Sequence, residues 1–209
     1  MDNDQNKQRW LNYYNNREKA DPRELVKDVL SLFESEKIQE SSKLAIELGC
    51  GSGLDTAEMI NNFNWSVTAF DYQEEGLTRT KGRIHKEKIH KLTTLQYSFE
   101  DIADKVELPQ STLLYSAYAL PFCSPNKFPQ LMEKVKASIS VGGRFTGNFF
   151  GLNDAWNDRS EMTFLSSDQV KSLFNGFNIE YFDEFDGIRP IASGESKHWH
   201  VLTIRAKKI

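Results

Sequence analysis

The sequence predicts a doubly wound α/β fold, in which a mostly parallel sheet of seven strands ends in an antiparallel hairpin and carries helices on both faces. Short apolar strand segments alternate with segments of helical periodicity, which implies right-handed βαβ crossovers. A glycine-rich turn follows the first of these strands. No repeat, low-complexity tract or flexible linker interrupts the 209 residues, so we expect a single domain over 1–209.

The first predicted core helix follows the pair Asp21-Pro22 and runs to about Lys37. Aspartate is a good helix cap, and proline suits the first helical position. The apolar side chains behind this pair recur with helical spacing at Leu25, Val29, Leu32 and Phe33. Residues 1–40 are therefore expected to form an N-terminal helical extension.

The first four strands are predicted where short apolar runs are bounded by turn residues or charges. The glycine-rich turn 49–53 leads into a helix through Leu54, Ala57 and Ile60, and another helix spans about 74 to 88. The four strands are Lys43–Leu48, Trp65–Phe70, Leu92–Tyr97 and Thr112–Ser116.

The alternation continues in the second half of the chain. A helix after Pro125 carries an apolar stripe, and Gly142-Gly143 is expected to stop it before a strand over Arg144–Phe150. The stripe consists of Phe128, Leu131, Met132, Val135 and Ile139.

The C-terminal part is predicted to hold one more helix and a strand pair. Ser166 and Gln169 form a capping box for a helix that continues through Phe174. The segments Phe177–Phe182 and His198–Ala206 are expected to be strands joined by a polar loop.

Composition and charge exclude several classes of protein. With 26 Lys+Arg against 30 Asp+Glu, the net charge is −4, which disfavours a general nucleic-acid coat. Met1–Lys7 lacks the features of a secretory signal, and prolines interrupt the uncharged stretch Leu108–Asn126, so it cannot span a membrane. Cys50 and Cys123 have no metal-ligand spacing and predict no disulfide framework. We therefore expect a cytoplasmic protein without a membrane or nucleic-acid partner.

The glycine-rich turn and the acid that closes the second strand predict a nucleoside site. Gly49, Gly51 and Gly53 remove side chains where a ligand can approach the backbone, although an ordinary βα loop is the alternative. Asp71 follows the last glycine by 18 residues. Its carboxylate can accept hydrogen bonds from a ribose diol, or it can simply cap the next helix.

The same turn disfavours a dinucleotide. Thr56 stands where that fingerprint has Gly or Ala, and Asp55 puts a negative charge where a pyrophosphate would bind. The chain also lacks a Gly-x-x-x-x-Gly-Lys-Ser/Thr phosphate loop. A nucleoside without phosphates therefore suits the turn better than NAD.

Glu47 followed by Gly49-x-Gly51-x-Gly53 resembles the first motif of the class I S-adenosyl-L-methionine-dependent methyltransferases, and the resemblance extends from about Lys43 to the end of the chain. More loosely, the compact size and the sequence Lys197-His198-Trp199-His200 resemble the small tellurite-resistance-type methyltransferases. The resemblance implies a Rossmann-like fold, S-adenosyl-L-methionine as cofactor and S-adenosyl-L-homocysteine as product. The residues that match the family's cofactor positions are Glu47, Gly49, Gly51, Gly53, Asp71, Tyr72, Phe99 and Glu100.

Aromatic side chains concentrate where a substrate cover is expected. Tyr118 follows the fourth strand, at the family's acceptor side, and is the candidate catalytic residue because its ring can contact a sulfonium. The further substrate-side candidates are Tyr13, Tyr14, Trp156 and His198. The N-terminal extension is expected to cover this site, although Trp10, Tyr13 and Tyr14 can instead simply pack a helix onto the domain.

The expected function is transfer of a methyl group to a small-molecule acceptor, mainly by positioning and desolvation, because displacement at a sulfonium needs no dedicated base. Asn/Asp-Pro-Pro-Tyr/Phe and Pro-Cys signatures are missing, and Cys123 is expected to be buried. His198 and His200 share a strand face without a third ligand nearby, so no metal is expected. An RNA or protein methyltransferase and a non-catalytic cofactor-binding protein are the alternatives.

Overall fold

The computed structural model describes residues 3–191 and 193–209, with side chains described from Gln8 onward. The segment Met1–Lys7, in which we expect no secretory signal, lies partly outside this description. The helices are α1 (Asn3–Asn16), α2 (Glu24–Glu36), α3 (Leu54–Ala57), α4 (Glu74–Arg83), α5 (Phe99–Lys105), α6 (Phe128–Ser138) and α7 (Ser167–Leu173). The strands are β1 (Leu44–Leu48), β2 (Ser66–Asp71), β3 (Leu92–Gln96), β4 (Ser111–Ser116), β5 (Ile139–Phe150), β6 (Phe177–Pro190) and β7 (Ser196–Lys208).

The strands of the described residues form one seven-stranded sheet in the order β3-β2-β1-β4-β5-β7-β6. The strands β1 to β5 pair in parallel, whereas β7 is antiparallel to both β5 and β6. This topology confirms the predicted fold class. The strand order reverses between β1 and β4, which is where doubly wound sheets bind their ligands.

Alternating side chains divide the core between the two faces of the sheet. Leu113 points to the face covered by α2 and α4, and its neighbour Leu114 points to the face covered by α5, α6 and α7. Both faces of the central strands are therefore buried, as expected of parallel strands.

The predicted stop at Gly142-Gly143 is wrong, because α6 ends at Ser138 and both glycines lie inside β5. The register between β4 and β5 shifts from the pair Ser111 and Ile139 to the pair Leu113 and Arg144. A Cβ on Gly143 would lie 2.7 Å from the Thr112 carbonyl oxygen, so the glycine permits this close approach of strands.

The hairpin is longer than predicted. The strands β6 and β7 stay paired as far as Pro190 and Ser196, so the expected polar loop is largely strand. The capping box of Ser166 and Gln169 is confirmed at the start of α7.

Several helix boundaries also differ. Asp21 does not cap α2, since the N-cap position is Arg23 and has no side-chain cap bond. The helix α4 ends at Arg83 and a 3₁₀ turn follows over Lys86–Lys91, while α3 passes into a π turn over Glu58–Asn62.

A buried ion network fastens α2 to the sheet. Arg144 is 1% exposed and donates hydrogen bonds of 2.6–2.8 Å to Glu36 of α2 and Glu180 of β6. Its guanidinium also stacks over Phe33, 4.7 Å from the ring centroid. Hydrogen bonds from Arg144 lower the pKa of Glu36 to about 2. This network fixes α2, the helix that precedes β1 and the glycine-rich turn.

Candidate active site

A cavity of about 620 Å³ opens at the carboxyl ends of β1, β2 and β4, beside α1. Its walls come from the glycine-rich turn, the ends of β2 and β4, the start of α5, the N-terminal segment and the loop before α7. The lining residues used below are Arg9, Trp10, Tyr13, Tyr14, Arg17, Arg23, Gly49, Gly51, Asp71, Tyr72, Tyr97, Phe99, Glu100, Tyr118, Phe122, Glu161 and Met162. The cavity therefore occupies the switch point of the sheet.

The three glycines of the turn have different surroundings although all have positive φ values, of 76°, 56° and 77°. Gly49 and Gly51 line the cavity, whereas Gly53 does not. A Cβ on Gly53 would lie 2.5–2.7 Å from atoms of Thr80, and one on Gly49 would lie 2.3 Å from the Ala119 Cβ. At Gly51 the nearest atom, of the Tyr14 ring, is 3.4 Å away. Gly51 is thus the glycine with room beside it.

Asp71 anchors the glycine-rich turn as well as facing the cavity. Its carboxylate accepts hydrogen bonds from the backbone N–H of Gly51 at 2.8 Å and of Gln73 at 2.9 Å. The Tyr14 hydroxyl donates a longer bond, at 3.5 Å. Burial raises the pKa of Asp71, and these donors oppose the rise. The capping alternative is wrong, because the N-cap of α4 is Gln73 and has no side-chain cap bond, while the ribose role of Asp71 stays a prediction.

Glu47 lies behind the turn, not in the cavity wall. It is 3% exposed and accepts a short hydrogen bond from the Thr56 hydroxyl. Burial and the neighbouring charge of Asp55 raise the pKa of Glu47 to about 8. Glu47 therefore contacts α3 through Thr56 and lies behind the glycine-rich turn.

Asp55 is paired within the protein. Its carboxylate accepts bonds from the Arg23 backbone N–H at 2.8 Å, from the Arg23 guanidinium at 2.6 Å and from the Tyr115 hydroxyl at 3.0 Å. Arg23 also donates to the Tyr13 hydroxyl at 3.0 Å. The predicted negative charge is thus present at the start of α3, but Arg23 neutralises it and joins the N-terminal segment to this helix.

The raised pKa of Glu47 predicts a pH-dependent stability. The folded protein retains a proton that the unfolded chain loses above its ordinary pKa of 4.5, so the stabilisation is complete below that pH and is lost as pH rises through about 8. The free energy of unfolding should fall by at most about 1.4 kcal/mol per pH unit from this group. When the free energy of unfolding is measured with urea at several pH values in this range, it should fall less steeply with pH in Glu47→Gln than in the native protein. Equal slopes in the two proteins would contradict the assignment.

Three of the residues that match the family's cofactor positions line the cavity from the end of β2 and the start of α5. Tyr72, Phe99 and Glu100 all line the cavity. Phe99 opens α5, a helix that we did not predict although Ser98 and Asp101 form a capping box for it. The Glu100 carboxylate accepts bonds from the Ser124 backbone N–H at 3.0 Å and its hydroxyl at 2.9 Å. Glu100 therefore ties α5 to the segment after β4.

The N-terminal aromatic residues belong to α1 and reach the cavity. Trp10, Tyr13 and Tyr14 line it, and Tyr14 is 1% exposed. Trp10 lies edge-on to Phe122, with ring centroids 5.1 Å apart. These rings both pack the helix and form one wall of the cavity.

Tyr118 lines the cavity just after β4 and has an uncommon backbone conformation. Its φ of 56° is in the left-handed region, which a bulky residue rarely adopts. Its ring is 5.7 Å from the Arg23 guanidinium and 6.0 Å from the Trp199 ring. Strain of this kind is concentrated at functional sites.

Two predicted substrate-side residues do not reach the cavity. Trp156 is enclosed in a ring cluster with Phe150 and Trp199. His198 points away on the hairpin, where its Nε2 lies 2.5 Å from Asp186. The reason is that the hairpin extends past the end of β5, which the sequence pattern did not indicate.

The sequence did not indicate several cavity residues, because no motif marks them. They are Arg9, Arg17, Arg23, Phe122, Glu161 and Met162. Arg23 itself was not singled out, although the pair Asp21-Pro22 before it predicted a helix start. Among the described residues, no cluster of three or more His, Cys, Asp or Glu side chains is arranged to hold a metal ion. In the same part of the chain, no helix has the length and apolarity to cross a bilayer.

Comparison with known proteins identifies a domain family and a shared fold. A model of a methyltransferase domain matches residues 45–143. No curated protein matches the chain at a significant level. TehB from Haemophilus influenzae superposes with a TM-score of 0.69 at 16% identity, over 88% of this chain and 62% of its own, so the chain spans less than two thirds of that protein.

Two further solved structures have the same fold. The N-methyltransferase NodS from Bradyrhizobium japonicum, solved with S-adenosyl-L-homocysteine, has a TM-score of 0.67 at 15% identity, over 92% of this chain and 90% of its own. The magnesium protoporphyrin IX methyltransferase from Synechocystis, solved with bound S-adenosyl-L-methionine, has a TM-score of 0.61 at 11% identity, over 88% of this chain and 78% of its own. At these identities the likeness establishes the fold.

Proposed function

We propose that the protein is a class I S-adenosyl-L-methionine-dependent methyltransferase that transfers a methyl group to a small-molecule acceptor, since residues 45–143 match the model of a methyltransferase domain. The observation that carries the proposal is one cavity bordered by Gly51 and Asp71 on one side and by Tyr118 on the other. The cofactor and the acceptor would thus meet within one enclosed space.

The residues present fit the cofactor. Gly49 and Gly51 leave backbone exposed to a ligand, and Asp71 offers carboxylate oxygens that a ribose diol can use. Tyr72 and Phe99 provide rings for a nucleobase. Bound S-adenosyl-L-methionine supplies an electrophilic methyl group on a sulfonium.

The protein's own part is to bind, align and exclude water. The rings of Trp10, Tyr13 and Phe122 close the cavity beside the predicted position of the reacting methyl group. Tyr118 presents a ring that favours a cation, and such contacts contribute about 0.5–2 kcal/mol. With the cofactor held by the glycine-rich turn and Asp71, the acceptor's lone pair would form the new bond to carbon as the carbon–sulfur bond broke, and both electrons of the broken bond would remain on sulfur. The acceptor's proton leaves to water or buffer, so no dedicated base is required.

Closure of the cavity by α1 supports a small acceptor over an RNA or a protein. The test is a transfer assay with radiolabelled S-adenosyl-L-methionine, a metabolite panel, total RNA and unfolded protein. Label should appear in a small molecule with release of S-adenosyl-L-homocysteine. Label in RNA or protein would establish an alternative acceptor, and cofactor binding without transfer to any panel member would favour a non-catalytic role.

The charges of the cavity favour an acceptor that carries an anionic group. Arg9 and Arg17 line the cavity together with Glu161, whose charge acts on Arg9, and among the described side chains neither arginine has a hydrogen bond or an ion pair within 4 Å. Arg23, by contrast, is paired with Asp55. Eight residues separate the two unpaired arginines, about 12 Å along a helix. The single carboxylate of the cofactor cannot pair with both, so one guanidinium remains for the acceptor.

Arg9 is the candidate for that role. Its guanidinium lies 5.3 Å from the Trp10 ring and 5.8 Å from the Phe122 ring, at the acceptor end. The substitution Arg9→Gln should raise KM for a carboxylate acceptor about tenfold, because it removes a charge-assisted hydrogen bond at the exposed rim of the cavity. Arg17→Gln is the matched variant and should weaken cofactor binding instead. If a carboxylic acid and its neutral amide were equally good substrates, an anionic acceptor would be excluded.

Tyr118 variants separate ring contact from proton transfer. Tyr118→Phe should keep most turnover, because the hydroxyl has no assigned chemical step. Tyr118→Ala should lower kcat and leave S-adenosyl-L-homocysteine affinity nearly unchanged. Tyr118→Gly, which suits the positive φ, controls for backbone strain and should be no less stable than the alanine variant. A loss of 10²–10⁴-fold in Tyr118→Phe would instead identify the hydroxyl as a general acid or base.

A further inference from the structure

The sequence Lys197-His198-Trp199-His200 at the start of β7 places a buried cation among aromatic rings. The Lys197 side chain is 5% exposed. Its Nζ lies 3.6 Å from the Trp199 ring centroid, 3.9 Å from that of Trp156 and 5.0 Å from that of Phe150. Ring faces attract cations, and more strongly when water is excluded. This ring cage of Phe150, Trp156 and Trp199 is thus filled by the chain's own ammonium group.

One buried carboxylate neutralises this cation and organises the loop after β5. Asp154 Oδ1 lies 2.5 Å from Lys197 Nζ, and the Asp154 side chain is wholly buried. The carboxylate also accepts bonds from the backbone N–H of Trp156 at 3.0 Å and of His200 at 3.2 Å. Burial lowers the pKa of Lys197, and Asp154 opposes that change. The ion pair therefore joins the loop to β7.

His200 holds the same loop from its other side. The Gly151 backbone N–H donates to the His200 carbonyl at 2.7 Å, and the Asn153 N–H donates to Nδ1 of the ring at 3.0 Å. Because Nδ1 accepts, the ring proton is assigned to Nε2, which lies 2.8 Å from Glu184 Oε1. The loop after β5 is thus fixed at both of its faces.

The ring cage continues to the cavity wall. The Trp199 ring is edge-on to the Tyr118 ring at 6.0 Å, and Phe150 lies 6.4 Å from Tyr118 and 6.3 Å from Phe122. Both Tyr118 and Phe122 line the cavity. A continuous set of packed rings therefore links the buried cation to the strained residue at the acceptor end.

We propose that Lys197 is a positioning residue for the acceptor end: paired with Asp154 inside the ring cage, it fixes the rings of Trp199 and Phe150 against which Tyr118 and Phe122 pack. A role toward the acceptor rests on the proposed function, whereas the structural coupling between Lys197 and the segment Ala117–Phe122 is independent of it. Stability alone is a weak explanation, because well-packed apolar residues often replace buried ion pairs at no loss of stability. An ion pair of fixed geometry instead specifies one arrangement of the rings.

Hydrogen exchange of the full-length, ligand-free protein tests this coupling, with Lys197→Met, Asp154→Asn and a matched control. The control is Lys43→Met, since Lys43 is also buried and ion-paired, with Glu34 and Glu40 at 2.8 Å each, but lies at the opposite end of the sheet. Exchange in Lys197→Met and Asp154→Asn should rise about tenfold or more over Ala117–Phe122 and over the loop 151–165, reflecting local opening. The control should lower the melting temperature and leave Ala117–Phe122 unchanged.

Three results would overturn the proposal. One is unchanged exchange over Ala117–Phe122 in Lys197→Met; another is a rise confined to the loop 151–165; the third is the same rise in the control. If Lys197→Met does not fold, Asp154→Asn decides alone, since it removes the partner charge and keeps the size of the side chain; unchanged exchange over Ala117–Phe122 in that variant overturns the proposal.

Steady-state kinetics gives an independent readout once the transfer assay has supplied an acceptor. Lys197→Met should raise the acceptor's KM and leave the Kd of S-adenosyl-L-homocysteine within about twofold, since the glycine-rich turn does not contact the ring cage. An unchanged KM would contradict a positioning role. Failure to find any acceptor would count against the proposed function, while the exchange measurement would still decide the role of Lys197.

Discussion

Replacing Gly51 by valine should abolish S-adenosyl-L-homocysteine binding while the sheet stays folded. A Cβ at Gly51 meets only the Tyr14 ring, at 3.4 Å and 4.0 Å, so the core tolerates it. The positive φ of 56° makes any L side chain costly there, by about 1–2 kcal/mol. The branched side chain would occupy the space above the backbone that a ligand needs. We expect a loss of at least about 100-fold in affinity, or roughly 2.7 kcal/mol.

Calorimetry measures the affinity, and a circular dichroism melt verifies the fold. The matched variants are Gly49→Ala and Gly53→Ala, whose new Cβ atoms would lie 2.3 Å from the Ala119 Cβ and 2.5 Å from the Thr80 hydroxyl oxygen. These should lower the melting temperature more than Gly51→Val does, because backbone and buried atoms must move. If Gly51→Val unfolds first, the glycine is structural and the binding argument loses its basis.

Replacing Asp71 by alanine should weaken S-adenosyl-L-homocysteine binding by about 1.5–3 kcal/mol, the usual value for a hydrogen bond to a charged group. The structure adds a second effect, since the same carboxylate accepts from the Gly51 and Gln73 backbone N–H groups at 2.8 and 2.9 Å. Its removal therefore also loosens the turn. The total affinity loss should lie at the upper end of that range.

Asp71→Asn separates the two effects. Asparagine keeps one acceptor oxygen for a backbone N–H but removes the charge that a ribose diol favours. We expect Asp71→Asn to melt within a few degrees of the native protein and still to lose about tenfold in affinity. Native affinity in Asp71→Asn would refute the ribose assignment, and native affinity in both variants would remove Asp71 from the binding site.

The place of Arg9 in the cavity wall and the ring cage around Lys197 depend on contacts that no pattern in the sequence shows. Helical periodicity shows which residues share a face, but it does not show that the α1 face meets the end of β2 and β4. In the same way, Asp154 and Lys197 are 43 residues apart, and their pairing depends on the antiparallel placement of β7 beside β5.

By itself, the sequence determined the order of the strands and of the helices other than α5, the glycine-rich turn and the acid at the end of β2, because these depend on local periodicity and on the steric freedom of glycine. Only the tertiary structure decided what each motif residue touches. It placed Glu47 and Gly53 behind the cavity, neutralised Asp55 with Arg23, and kept Trp156 and His198 away from the cavity. The physical reason is that ion pairs and ring contacts form between segments that are distant in the chain. Their strength depends on burial and on the separation of the groups, and a local sequence pattern gives neither of these two quantities.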